Sequence, residues 1–163
     1  MTVAEYNSCV DLHSDGLYRF LLTNVKDKDK ARDLVQETYA RLWAKVEEVS
    51  FEKAKSYIFT AGYHMMIDQI RREKRHLDFQ AEELATSDKG SSRQYSDLND
   101  ILHEALDRLP PVQKSVIMLR DYEGYSYEEI EEITGLNESQ VKVYIYRGRL
   151  ALKEYLVKME YVV

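Results

Sequence analysis

The stretch GYSYEEIEEITGLNESQVKVYIYRGRLALKEYL, Gly124 to Leu156, decides the fold. Ser126 followed three residues later by Glu129 is a capping box, so a helix begins there. Ile130 and Ile133 face inward on it. Gly135 ends that helix in a Gly-Leu-Asn turn, and Asn137, with Gln140 three residues on, caps the next. A short helix, a Gly-containing turn and a longer helix make a helix-turn-helix. Leu136, Val141 and Ile145 fill the space between the two helices. Ser139, Gln140, Lys142, Val143, Tyr146, Arg147 and Arg149 are left to face outward or to flank a contact surface. From Ser139 to Lys153 the chain has four basic residues, Lys142, Arg147, Arg149 and Lys153, and no acidic one. The start of such a helix fits the major groove, where Gln, Ser or Arg bonds base edges. Its later Lys and Arg neutralise phosphates, which supply most of the affinity.

Working outward, the composition suits a helical chain. Among 163 residues there are six glycines and two prolines, about half the usual share. So few turn residues argue against a many-stranded sandwich or barrel. The length fits one full domain or two small helical ones. Hydrophobic residues at 44% are enough for packed cores. No run of 18 apolar residues spans a membrane, and the N-terminus lacks the pattern of a secretory signal. Cys9 is the sole cysteine, so no intrachain disulfide is possible and a reducing, cytoplasmic compartment is expected. The net charge of −6 argues against nucleic acid only until its distribution is read. Arg71-Arg72-Glu73-Lys74-Arg75 is a basic cluster. Glu128, Glu129, Glu131 and Glu132 fall on the first helix of the motif, away from the groove.

Apolar spacings of three and four give an all-α chain. The first helix is expected over about 4–24, with Tyr6, Val10, Leu17, Phe20 and Leu21 on one side and Gly16 as a weak point. The second runs over about 30–46 with Asp29 as N-cap, placing Ala31, Leu34, Val35, Thr38, Leu42 and Val46 inward. Ser50 caps a third, about 51–75, burying Ala54, Ile58, Ala61, Met65 and Ile70. The polar stretch from Leu77 to Asp97 has no periodicity and reads as a flexible linker. Leu98, Ile101, Leu102, Ala105, Leu106 and Leu109 define a fourth helix. Pro110-Pro111 ends it and starts a fifth, to about Tyr122. Two small helical domains follow, 1–76 and 98–163, joined by a flexible linker, 77–97.

The N-terminal half narrows the reading. KARDLVQETYARLWAKV, Lys30 to Val46, resembles the "AEDLVQEtflrlW" signature of bacterial RNA polymerase sigma factors. MIDQIRREKR, Met66 to Arg75, resembles their "aiDhlRRrkR" segment. LPPVQKSVIMLRDYEGYSYEEI resembles the lead-in to their region 4, and the helix-turn-helix resembles region 4 itself. The likeness covers nearly the whole chain apart from the linker. It lacks regions 1.1 and 3, which is the form of the extracytoplasmic-function subgroup.

The resemblance implies a region 2 helical bundle and a region 4 helix-turn-helix. It implies an alternative-type sigma factor that binds polymerase core, directs it to promoters and helps melt the minus-10 element. The core contacts (β′ clamp helices) map to Asp33, Gln36 and Glu37, with Arg41 one turn on; the β flap is a further implied contact. Without a partner, Glu37 and Arg41 make an intrahelical ion pair. Trp43 matches an aromatic position and is expected in the core. A loop at about 47–55 would capture an unstacked base, with Tyr57, Tyr63 and His64 as the contacts on the third helix. Many relatives have Asn where this chain has His64. Arg71, Arg72, Lys74 and Arg75 would follow the DNA backbone, and Asp68 would fix local geometry. The minus-35 contacts map to Arg120, Lys142, Val143, Tyr146, Arg147 and Arg149. Many relatives have Arg-Ser where this chain has Lys142-Val143; Val143 can touch a thymine methyl but donates no hydrogen bond. The usual partner of the subgroup is an anti-sigma factor, often membrane-anchored, while the sigma factor itself is not inserted in a membrane.

Two other classes compete. A free-standing helix-turn-helix transcription regulator would have no use for the 33–37 and 68–75 segments. An enzyme would need a catalytic constellation. His13, His64, His76 and His103 are scattered, no Gly-rich phosphate loop is present, and no metal or cofactor is expected.

Overall fold

The computed structural model describes residues 1–81 and 98–162, and within them the side chains of 1–78 and 100–158. The described residues are helical and contain no strand: α1 (Val3–Val25), α2 (Lys28–Ala44), α3 (Phe51–Ala81), α4 (Leu98–Asp107), α5 (Pro111–Ile117), α6 (Tyr127–Thr134) and α7 (Glu138–Val162). A π-helical turn, Met118–Tyr122, continues α5.

Local chemistry sets the ends. Thr2 and Glu5 form a capping box on α1, and Lys26 closes it in the left-handed conformation. The cap of α2 is Asp27 rather than Asp29: its carboxylate accepts from the amides of Asp29 and Lys30. The Ser126–Glu129 box stands as read. Gly135 sits at φ 76°, where a Cβ would be strained. The third helix runs past Arg75 to Ala81, so the first five residues of the expected linker are helical. The rest of it, 82–97, lies outside the described residues.

Helices α1, α2 and α3 pack as a bundle around Leu17, Phe20, Leu21, Leu42, Ile58, Phe59 and Met66. Gly62 lets α3 approach α1: a Cβ there would lie 3.2 Å from Leu17 Cδ1. The buried face of α3 is rotated from the expected one. Phe59, Tyr63, Met66 and Ile67 are buried, whereas Ala61, Met65 and Ile70 are half-exposed. A one-residue choice among adjacent apolar positions turns a helix face by about 100°.

The C-terminal half packs α5 and α7 across Gly148, where an added Cβ would lie 2.0 Å from Ile117 Cδ1. Ile130, Ile133, Val141 and Ile145 fill the helix-turn-helix. The two halves also pack on each other. Helix α6 lies against α3, α4 and α5 lie against α1, and one hydrophobic cluster runs through both halves, with Leu106, Leu109 and Ile117 forming a second, smaller one.

Candidate polymerase and nucleic-acid interfaces

On α2, Asp33, Gln36, Glu37 and Arg41 are all exposed on the face opposite the buried Ala31, Leu34, Thr38 and Leu42. Arg41 Nε stands 3.5 Å from Glu37 Oε1, both side chains more than half exposed. Such a pair is worth roughly 0.2–0.5 kcal/mol and rearranges readily for a partner. Trp43 is not in the core. It is 49% exposed, and its indole meets Tyr6 edge-on at 5.0 Å. Leu42, one position earlier, takes the inward place. Trp43 therefore extends the exposed α2 surface by one aromatic side chain.

The α2–α3 connection ends at Ser50, so residues 51–55 of the expected base-capturing loop form the first turn of α3. Tyr57 is half-buried and His64 is exposed, its ring edge-on to Tyr63 at 5.3 Å. Tyr63 departs from expectation. It is 4% exposed, and burial raises its hydroxyl pKa; Arg71 opposes that shift and Tyr144 of α7 adds to it. In this arrangement Tyr63 cannot stack on a base. Further along, Arg71, Arg72, Lys74 and Arg75 are exposed. Arg72 and Arg75 donate to the backbone carbonyls of Asp68 and Arg71, and none of the four makes an ion pair among the described residues. Glu73 within the cluster faces the other way, bound to Lys30 at 2.6 Å. The lysine's hydrogen bond holds its carboxyl below the usual range.

The start of α7 presents Ser139, Gln140, Lys142, Val143, Tyr146, Arg147 and Arg149, every one exposed, with Tyr146 at 69%. Several are already engaged. Gln140 Oε1 accepts from the Asn137 amide while Asn137 Oδ1 accepts from the Gln140 amide, so only the Gln140 NH2 is left for a base. Lys142 pairs with Glu138 at 2.7 Å, and Arg149 forms a two-bond fork on Asp121. Arg120 is half-buried. It donates to the Tyr125 carbonyl at 2.9 Å and lies 4.8 Å from the Tyr127 ring centroid. Its visible work is to hold the turn that launches α6. Asp121 has no sequence signal, because it stands 28 residues from Arg149.

One small chain thus carries a basic, groove-sized helix and a separate basic helix edge with aromatics beside it. Two family patterns match them: "Sigma-70 region 2" over residues 9–76 and "Sigma-70, region 4" over residues 99–152. The RNA polymerase sigma factor SigV of Bacillus subtilis is 36% identical over 93% of this chain and 90% of its own length. The chain belongs to the sigma-70 family. Its relatives include extracytoplasmic-function members. One is SigE of Mycolicibacterium smegmatis, 30% identical over 94% of this chain and 62% of that protein. Among solved structures, the sigma factor RpoE of Bartonella quintana, crystallised with the anti-sigma factor NepR, matches 94% of this chain and 98% of its own. Its TM-score is 0.77 and its identity 28%. The exposed rows on α2, α3 and α7 thus belong to an extracytoplasmic-function sigma factor. Among the described residues no helix is long and apolar enough to cross a membrane, and no group of three or more His, Cys, Asp or Glu is placed to hold a metal.

Proposed function

We propose that this sigma factor divides its work by surface. Residues 1–76 form the polymerase- and minus-10-binding domain, and 98–163 form the minus-35-binding domain. The protein directs RNA polymerase core to promoters and acts by binding rather than by catalysis, in the cytoplasm. Asp33, Gln36, Glu37 and Arg41 on α2 meet the β′ clamp helices. Tyr57 and His64 face the melted minus-10 strand, and Arg71, Arg72, Lys74 and Arg75 follow its backbone. Ser139, Gln140, Lys142, Val143 and Tyr146 face the minus-35 groove, with Arg147 and Arg149 on phosphates.

The observation that carries this reading is the simultaneous exposure of the three rows on three helices of one chain. Opening the duplex costs unpairing and unstacking, which the aromatics and the basic edge offset. Neither DNA surface is large, and polymerase raises the effective concentration of one when the other is bound. An anti-sigma factor is the fitting inhibitor, since RpoE is held by one.

The test is transcription in vitro with bacterial core polymerase on a promoter library, with and without the protein. New start sites sharing spaced minus-10 and minus-35 elements are expected. Sequence-specific DNA binding without core, and no new starts with it, would instead make the chain a free-standing regulator.

A further inference from the structure

Four of the five residues from Arg71 to Arg75 are basic, and the fifth is Glu73. An ionised carboxylate there repels the strand that its neighbours attract. The residue that answers it comes from another helix. Lys30, in the first turn of α2, brings its Nζ to 2.6 Å from Glu73 Oε1. The Gln69 side-chain amide, one turn back on α3, donates to the same oxygen at 3.3 Å. The Lys30 hydrogen bond, with Gln69 adding to it, keeps the Glu73 carboxyl below the usual carboxylate range. Glu73 is therefore a full negative charge near neutral pH, and it needs a counter-charge.

Helical spacing explains why α3 does not supply that charge itself. Three and four residues either side of Glu73 stand Gln69, Ile70, His76 and Leu77, none of them a permanent cation. Its sequence neighbours, Arg72 and Lys74, project about 100° to either side. The carboxylate sits in an open groove of about 540 Å3 bordered by Lys30, Gln69, Arg72 and His76. Apart from Lys30, Arg72 is the permanent cation on that groove. Without Lys30, the Glu73 charge falls on Arg72, a member of the row proposed to follow DNA. The pair is partly exposed, at 44% for Lys30 and 38% for Glu73. Pairs of this kind contribute little to stability, so losing Lys30 should change the charge of this surface more than it changes the fold.

We propose that Lys30 is a positioning residue for the basic row of α3: it cancels Glu73 and holds that carboxylate aside, so that Arg71, Arg72, Lys74 and Arg75 meet phosphate with no acid competing among them. The proposal rests on the reading of α3 as the surface that follows the minus-10 backbone. It gives α2 two separate jobs. The row from Asp33 to Arg41 meets polymerase, while the first turn conditions DNA binding on the next helix. Lys30 itself touches no DNA and acts only through Glu73. That separates it from a residue that braces α2 against α3. Bracing needs the ion pair, whereas positioning needs only that the Glu73 charge be cancelled.

The two roles give opposite results for Glu73→Gln, which breaks the pair and deletes the charge together. The test uses the full chain bound to core polymerase. Filter binding is measured over a salt series on a promoter that the native protein selects from the library. Lys30→Met should weaken binding roughly three- to fivefold at low salt. It should also lower the slope of log K against log salt by about 0.7–0.9, the share of one phosphate. Glu73→Gln should bind at least as tightly as the native chain, and Lys30→Met with Glu73→Gln should match Glu73→Gln. Affinity for core alone, read by anisotropy of the labelled protein, should be the same in all three. The proposal is overturned if Glu73→Gln weakens DNA binding as Lys30→Met does, or if the double substitution binds no better than Lys30→Met. It also falls if the loss in Lys30→Met is matched by a loss of core affinity. Removing Arg71, Arg72 and Arg75 together tests the reading beneath it. An unchanged salt slope there overturns that reading and the proposal with it. A reduced slope there, with Lys30→Met binding like the native chain, overturns the proposal alone.

Discussion

The two surfaces proposed to face DNA handle their charge in opposite ways. On α3, Arg71, Arg72, Lys74 and Arg75 project without an acidic partner among the described residues, and the one glutamate among them is turned away onto Lys30. On α7, Lys142 and Arg149 already hold Glu138 and Asp121. The N-terminal surface is ready for phosphate as it stands. The C-terminal surface must exchange an internal carboxylate for a phosphate. Exposed pairs contribute about 0–1 kcal/mol, so the exchange is nearly neutral for stability. It still penalises loose contacts that break a pair without gaining a well-placed phosphate. The lesson is that an acid-free window in sequence is not an acid-free surface in space.

The halves also differ in how tightly their helices cross, and that difference can be broken most forcefully. Gly148→Ala puts a methyl 2.0 Å from Ile117 Cδ1, and overpacking of this kind costs about 1–3 kcal/mol. Gly62→Ala meets Leu17 Cδ1 at 3.2 Å, so a shift of a few tenths of an ångström accommodates it and the loss should be smaller. Chemical denaturation of both variants checks the order. Equal losses would contradict the closer crossing in the C-terminal half.

The charge comparison is sharpened by salt. For sigma factor bound to core on promoter DNA, each phosphate contact removed should lower the slope of log K against log salt by about 0.7–0.9. Removing Arg71, Arg72 and Arg75 together should therefore cost two to three such steps, and Arg147→Ala one. Asp121→Asn frees Arg149 and should raise affinity for non-promoter DNA by less than about fivefold. No increase in filter binding would mean that Asp121 aims Arg149 rather than restrains it.

The smallest effect is pH-dependent. His13 lies near Lys55 and Glu123, where the two halves meet. Burial first, and the Lys55 ammonium second, hold its imidazole below the usual pKa, with Glu123 opposing. A folded value below the unfolded one means the stability is present above the ordinary imidazole range. It is lost as pH falls through the folded value. Thermal melts between pH 7.5 and pH 5 should show a decline that His13→Asn flattens.

Much of this was legible in sequence because it is local. The Ser126–Glu129 box, the Asn137–Gln140 cap, the Gly135 turn and the exposed row on α2 follow from spacings of three and four residues. What was not legible depends on distant partners. Tyr63 and His64 are adjacent aromatics, and only packing decides that one is buried and the other exposed. Trp43 looks like core by its type, yet Leu42 occupies the inward place. Arg120 maps to a minus-35 contact position, but the Tyr125 carbonyl already accepts from it. Nothing in the sequence marks Lys114, yet it is buried and donates to the Thr23 carbonyl of α1. For Tyr63 and Lys114 the deciding contact comes from another helix; for Trp43 and Arg120 it is the choice between adjacent positions or a nearby turn carbonyl.

The claim that the two halves read two separate promoter elements has a direct measurement. The starts selected from a randomised promoter library by core polymerase should be compared for the native chain, His64→Asn and Val143→Arg. His64→Asn should change the bases selected at the minus-10 element and leave the minus-35 element alone, and Val143→Arg should do the reverse. If either substitution alters both elements, or alters only the element assigned to the other half, the division of labour described for α3 and α7 is wrong.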